Sequence, residues 1–309
     1  MQLDEMDHEI FRCLRADARA PMARIGKQVG LSADAVRARI NRLTEDGVLR
    51  IIGVVDPQSL GYRALGTVGL DYHGDLGALV ERLRALDYVT FVALTLGEHN
   101  VVCEIAAADD GELLELATAG VGALPGVRGL EMWRLVEVWK WHGQGRPEVR
   151  THTGPRRPHD DLDAALLRLL VRDPRLSFRD LGERLDEPYS LVRRRTQQLF
   201  DDGVLQASAV LDRSSADAGT TGLLGLSLSG EGITAALEYA VAQPEIVIVA
   251  RTLGRFAATL EVVSETPEAL VEVADRMSAL PAVTAVSTYL YARSPVLPMP
   301  WLFRPSRRP

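Results

Sequence analysis

Apolar residues recur at helical spacing through the first fifty positions. In residues 4–16, Met6, Ile10, Cys13 and Leu14 mark one face of an amphipathic helix. Pro21 at a first-turn position, with Ile25 and Val29 facing inward, predicts a short second helix that ends in a tight turn at Gly30. Ser32 is placed to cap a third helix through Val36, Ile40 and Leu43, whose outward face carries Asp34, Arg37, Arg39, Asn41 and Arg42. Asp46-Gly47-Val48-Leu49 then turns into the β-prone residues Ile51, Ile52, Val54 and Val55, as a β wing requires. From residue 64 the period changes: strand 64–72, helix 75–86, strands 88–96 and 100–107, helix 110–124 and strand 127–139. That βαββαβ order predicts a four-stranded antiparallel sheet with two helices on one face, the ferredoxin-like arrangement. Its other face is left open to pair with another copy.

The whole pattern then occurs again. Shifted by 156 positions, residues 7–50 match 163–206 without a gap, and 14 of the 44 are identical, among them Asp7/Asp163, Arg19/Arg175, Gly26/Gly182, Arg37/Arg193 and Arg39/Arg195. The second copy uses Leu162, Leu166, Leu169 and Leu170 on its first helix, Ser177 with Asp180 to start its second, and Asp186 at the turn. Downstream, Thr95-Leu96-Gly97 matches Thr252-Leu253-Gly254, and Ala123-Leu124-Pro125 matches Ala279-Leu280-Pro281. Residues 221–293 repeat the βαββαβ order. The expected organisation is an α+β chain of two tandem units. It comprises a winged helix-turn-helix domain over 1–62, a ferredoxin-like domain over 63–142 and a Gly, Pro and Arg-rich linker over 143–158. A second winged helix-turn-helix domain (159–218), a second ferredoxin-like domain (219–294) and a Pro-rich tail (295–309), with Trp301 and Phe303 expected to dock, complete it.

Composition narrows the chemistry. No apolar run approaches the roughly 20 residues of a membrane span, and the acidic N-terminus MQLDEMDHEI is no secretory signal, so a cytoplasmic address is expected. Two cysteines, Cys13 and Cys103, lie inside apolar patterns and are expected as buried thiols, with no disulfide framework. The six histidines show no metal-ligand spacing, and no nucleophile elbow, Walker loop or dinucleotide fingerprint occurs, so no cofactor and no catalytic role are expected. Trp133, Trp139 and Trp141 share one strand parity and are expected in a core or an interface.

A net charge of −7 places any nucleic-acid contact on a local patch. The third helix of each repeat offers one: an N-terminus with exposed Arg and Asn can enter the major groove, where Arg reads guanine and Asn reads adenine. The candidate DNA-contacting residues are Ser32, Asp34, Arg37, Arg39, Asn41 and Arg42 in the first repeat, and Ser190, Arg193, Arg194 and Arg195 in the second.

Leu3-Asp4, Asp7, Asp17-Ala18-Arg19, Ile25-Gly26, Val29-Gly30-Leu31-Ser32, Val36, Arg37, Arg39, Leu43 and Gly47-Val48-Leu49 through Asp56-Pro57 resemble the leucine-responsive (Lrp/AsnC) family of transcription regulators, over nearly the whole chain and twice. The resemblance implies binding to double-stranded DNA, sheet-to-sheet pairing, homo-oligomers and a small effector, such as an amino acid, held at a Gly-x-x-Asp turn. Here that turn reads Gly97-Glu98-His99-Asn100 and Gly254-Arg255-Phe256-Ala257, without the aspartate in either copy. The implied effector-binding residues are Gly97, Glu98, His99, Asn100, Gly254 and Arg255. Fusion implies a pseudo-dimer in one chain that favours an asymmetric DNA site. The second DNA module departs from the pattern at Glu187-Pro188. Sirohaem decarboxylases share this two-domain unit and are one alternative reading, but the Asn-Tyr-x-Arg and Trp-Phe patterns of those enzymes are absent, and only His99 and Arg251 are reminiscent of them; a metabolite-sensing module that does not bind DNA is the other.

Overall fold

The computed structural model describes residues 3–55, 57, 61–141, 144–145, 159–211 and 219–296. The expectations for the linker, the tail with Trp301 and Phe303, and the Asp56-Pro57 end of the wing fall wholly or largely outside the described residues. Two compact units form, and each draws on both repeats: one gathers the helical modules, the other the sheet-forming modules.

In the helical unit, α1 (Glu5–Ala16), α2 (Met22–Val29) and α3 (Ala33–Glu45) enclose Ile10, Leu14, Ile25, Val36, Ile40 and Leu43. The second repeat supplies α6 (Asp161–Arg172), α7 (Phe178–Leu185) and α8 (Tyr189–Asp201) around Leu166, Leu170, Leu181, Val192 and Leu199. Sequence chemistry fixes the ends. Asp4 with Asp7, and Asp160 with Asp163, form capping boxes at α1 and α6. The α2–α3 turn places Gly30 at φ 73°, and the α7–α8 turn holds Asp186 at φ 54° in the same left-handed region, the only positive-φ non-glycine among the described residues.

The strand after each module finds its partner in the other repeat. β1 (Leu49–Val55) pairs antiparallel with β7 (Leu205–Leu211), Ile52 opposite Ser208. Ala207 and Ala209 complete the core of the first module, and Val55 completes that of the second. A Cβ at Gly53 would lie 2.5 Å from the Leu170 carbonyl oxygen, so the strand rests directly on α6. The Arg175 guanidinium donates to Ala18 O (2.8 Å) and Ala20 O (3.0 Å), while its counterpart Arg19 lies over the Phe200 ring at 4.3 Å.

The sheet unit contains β2 (Ala64–Tyr72), α4 (Leu76–Arg84), β3 (Val89–Leu96), β4 (Val101–Ala107), α5 (Asp110–Glu115) and β5 (Val127–Trp141) with a short β6 (Gln144–Gly145). Its second half holds β8 (Thr220–Leu228), α9 (Ile233–Ala242), β9 (Ile246–Leu253), β10 (Ala258–Ser264), α10 (Pro267–Ser278) and β11 (Val283–Val296). The helix expected over 110–124 changes to a π-helical stretch at Leu116–Val121. Each half has the ferredoxin-like strand order, β5-β2-β4-β3 and β11-β8-β10-β9. Edge pairings β3–β11 and β5–β9 close the eight strands into a ring. The helices cover the outside over two cores, and the faces they leave uncovered meet inside around Val102, Trp133, Leu223, Phe256 and Tyr289. The open face thus pairs with the other repeat of the same chain.

Trp133 and Trp139 both lie in cores, as expected, but on opposite faces of the sheet. Register irregularities between Leu135 and Glu137 and between Val138 and Lys140 intervene, and Trp139 joins the helix-covered core of the second half. Cys103 is buried, and burial pushes its thiol up to about 12, whereas Cys13 is only half-buried; both are free.

Candidate nucleic-acid interface and turn cluster

The α3 face predicted to meet DNA divides into two sets. Ser32 is the N-cap and accepts from Ala35 N (3.1 Å), so its hydroxyl organises the helix start. Asp34, Arg37, Asn41 and Arg42 are exposed, and Arg37 Nη1 lies 2.8 Å from Asp34 Oδ1. Arg39 turns inward instead. It donates to Asp4 Oδ2 (2.6 Å) and to Asp7 Oδ1 (2.8 Å), and Arg42 reaches Asp7 Oδ2 at 2.7 Å. Asp7 is 1% exposed, so Arg39 balances a buried carboxylate. The hydrogen bond from Arg39, followed by that from the Asp7 N–H, holds the Asp4 carboxyl below its ordinary range.

The second repeat divides the same way. Arg195 donates to Asp163 Oδ1 (3.0 Å) and to Asp160, and only 12% of its side chain is exposed. Ser190, Arg193 and Arg194 are exposed, and Gln197 stands where Asn41 stands in α3. Helix α8 starts at Pro188 with no side-chain acceptor on its first turn. Arg39 and Arg195, read from the sequence as DNA contacts, are therefore ion-pair partners of the α1 and α6 capping boxes. The signal for this was the paired recurrence of Asp7 with Arg39 and of Asp163 with Arg195.

The two turns aligned with the effector motif face the opposite half of the barrel. A Cβ at Gly97 would lie 2.8 Å from the Tyr289 ring, and one at Gly254 2.8 Å from Met132 O, so only glycine permits these approaches. The Asn100 amide is tied to the β2 backbone: Oδ1 accepts from Tyr72 N (2.9 Å) and Nδ2 donates to Tyr72 O (2.7 Å). It acts as one more rung of the β2–β4 ladder. His99 is buried, with Nδ1 2.9 Å from Asp71 Oδ1 and Nε2 3.1 Å from Glu131 Oε2, and its ring stacks at 6.0 Å on Tyr289. Glu98 and Arg255, each about half-exposed, form an ion pair, and Arg255 also stands 3.7 Å from Glu131. The hydrogen bond from Arg255 holds the Glu98 carboxyl low, and burial pushes the Tyr289 phenol up to about 12. Asp71, Glu131 and Tyr289 escaped the sequence reading because strand register alone brings them to this turn.

Two segments, residues 3–44 and 160–199, match the AsnC-type helix-turn-helix domain. The transcriptional regulator LrpA of Pyrococcus horikoshii is 32% identical over 127 residues, which span 40% of this chain and 90% of LrpA. The chain belongs to the Lrp/AsnC family. An uncharacterised helix-turn-helix transcriptional regulator of Pyrococcus abyssi is 29% identical over 143 residues, 46% of this chain and 90% of that protein. Each of these relatives thus corresponds to about one repeat. Among solved structures, the sirohaem decarboxylase NirDL superposes with a TM-score of 0.59 at 17% identity, covering 94% of this chain and 92% of its own, a likeness of fold alone.

Proposed function

We propose that this Lrp/AsnC chain is a sequence-specific DNA-binding transcription regulator whose two modules act as one built-in pseudo-dimer on an asymmetric site. The observation that carries it is the pair of unlike exposed faces on one compact helical unit: Asp34, Arg37, Ala38, Asn41 and Arg42 on α3, against Ser190, Arg193, Arg194, Gln197 and Gln198 on α8. Arg193 and Arg194 suit guanines, Asn41 and Gln197 suit adenine, and Asp34 suits the amino group of cytosine. Two different faces read two different half-sites. A small effector modulates the regulator from the turn cluster. The half-exposed Glu98–Arg255 pair suits a zwitterion such as an amino acid, its carboxylate on Arg255 and its ammonium on Glu98. Further association of chains accompanies these roles. No helix among the described residues is long and apolar enough to cross a membrane.

The test is binding to the DNA upstream of its own gene across a salt series, comparing the wild type with Arg37→Ala and with Arg193→Ala/Arg194→Ala. Specific binding with a steep salt slope, weakened by both substitutions, supports two working modules. Unchanged binding by the double variant would make the second module a structural partner, and a palindromic consensus from in vitro selection would refute the asymmetric site.

A further inference from the structure

The two halves of the barrel are similar in fold but opposite in chemistry where they touch. Glu98 and Arg255 hold equivalent places in the two repeats and pair with each other, as residues on a two-fold axis do. Strand register fixes the other equivalences. Glu131 opposes Gly69 as Ser287 opposes Gly225, and Asp71 opposes Gly129 as Ser227 opposes Ala285. The first half therefore brings His99, Asp71 and Glu131 to the junction, where the second brings Phe256, Ser227 and Ser287.

The edges differ as well. At the β5–β9 edge, Glu137 lies opposite Arg251, with 3.6 Å between charged atoms. The corresponding positions at the β11–β3 edge hold Arg293 and Leu94. Lys140, 3% exposed, donates from Nζ to Val241 O (2.9 Å) and Gln243 O (2.7 Å), closing the C-terminal end of α9 in the second half. The second repeat carries valine, not lysine, at the equivalent position 296.

We infer that these contacts form a pairing code: the first barrel half fits the second half and neither fits a copy of itself, so the surface selects the unlike repeat over a like one. First-with-first pairing sets Glu98 against Glu98 on the axis and leaves Glu137 facing Leu94. Second-with-second pairing sets Arg255 against Arg255, places Arg293 opposite Arg251 on both edges, and deprives the α9 carbonyls of Lys140. Like charges directly opposite in a sheet are destabilising, and specificity of this kind rests as much on the clash in the wrong pair as on the contact in the right one.

The test uses the intact chain with a protease site inserted within 146–150, cut only after folding. Mild reversible denaturation then lets the fragments exchange, and native mass spectrometry counts first·second, first·first and second·second pairs. The expected result is mixed pairs in excess of the random 1:2:1 ratio by roughly tenfold or more; a random ratio overturns the inference. Because the helical modules also associate, a second arm assigns the selection to the barrel. Glu98→Arg/Glu137→Arg should bring the distribution back toward random, and adding Arg255→Glu to the same chain, which leaves the Arg293–Arg251 clash in place, should restore part of the excess of mixed pairs. Selection unchanged by Glu98→Arg/Glu137→Arg would show that these charges do not carry it.

Discussion

Arg37 and Arg39 stand two residues apart on α3, and their substitution should have opposite consequences. In Arg39→Met the aliphatic stem is retained and the charge is lost. Asp7, 1% exposed, then keeps only Arg42 as a cationic partner, because Arg39 had supplied the 2.8 Å bond to its Oδ1. A charge-assisted hydrogen bond to a buried carboxylate contributes about 1.5–3 kcal/mol, and leaving the oxygen partly unpaired places the loss near the top of that range. For a unit of this size about 3 kcal/mol lowers Tm by roughly 8–12 °C. Arg37→Ala removes only an exposed pair with Asp34, for which about 0–1 kcal/mol is expected. Its cost should appear in DNA affinity, roughly 1–3 kcal/mol if Arg37 reads a base. Calorimetry and a binding titration on the same two proteins decide the matter. An Arg39→Met variant that melts with the wild type but loses DNA binding would refute the division of the α3 face.

Other outcomes follow from the same geometry. Gly53→Ala drives a methyl to 2.5 Å from Leu170 O and 2.8 Å from the Val171 Cα, backbone atoms that cannot rotate away, so denaturant melts should show a loss of at least about 2 kcal/mol. Asn100→Asp restores the family's aspartate yet turns a carboxylate oxygen toward Tyr72 O in place of an amide donor, and thermal melts should show destabilisation, not improved effector binding. The carboxyls of Glu98 and Asp4 are held low in the folded chain, so their stabilisation is present above the unfolded value near pH 4 and is lost as pH falls through the folded value. Melting curves between about pH 6 and pH 3 should fall less steeply for Glu98→Gln than for the wild type.

The fold was legible because each repeat states its periods openly. The 3.6-residue apolar spacing through Ile10, Ile25 and Val36, the Ser32 cap and the left-handed turn at Gly30 are local signals, and they hold locally. The strand after Gly47 was equally legible as a strand, but its partner β7 lies about 150 positions on, and no local pattern carries that information. The same limit hides the ion pairs of Arg39 and Arg195. Outward helical phase places Arg39 beside Arg37, yet a long side chain can reach across a module, and the Asp7 carboxylate draws it there. At the Gly97 turn the sequence located the residues, while their partners Asp71, Glu131 and Tyr289 come from three other strands and became visible only with the register.

Both units show one repeat finishing what the other leaves open. Val55 fills the core of the second helical module, and Ala207 and Ala209 fill that of the first. Trp139 lies in the core under α9 and α10, and Lys140 closes the end of α9. A sheet with the edges of β3 and β9 unpaired would expose backbone donors and acceptors together with the apolar face around Trp133 and Tyr289. The core under α4 is built from the first repeat alone, but both helical cores, the core under α9 and α10 and the inner face of the barrel draw on both repeats, so each compact unit should unfold as a single cooperative transition spanning both repeats. Hydrogen exchange tests this directly. Matched amides in β1 and β7, and in β3 and β11, should open with the same free energy, whereas independent opening of one repeat would show that the shared cores are dispensable.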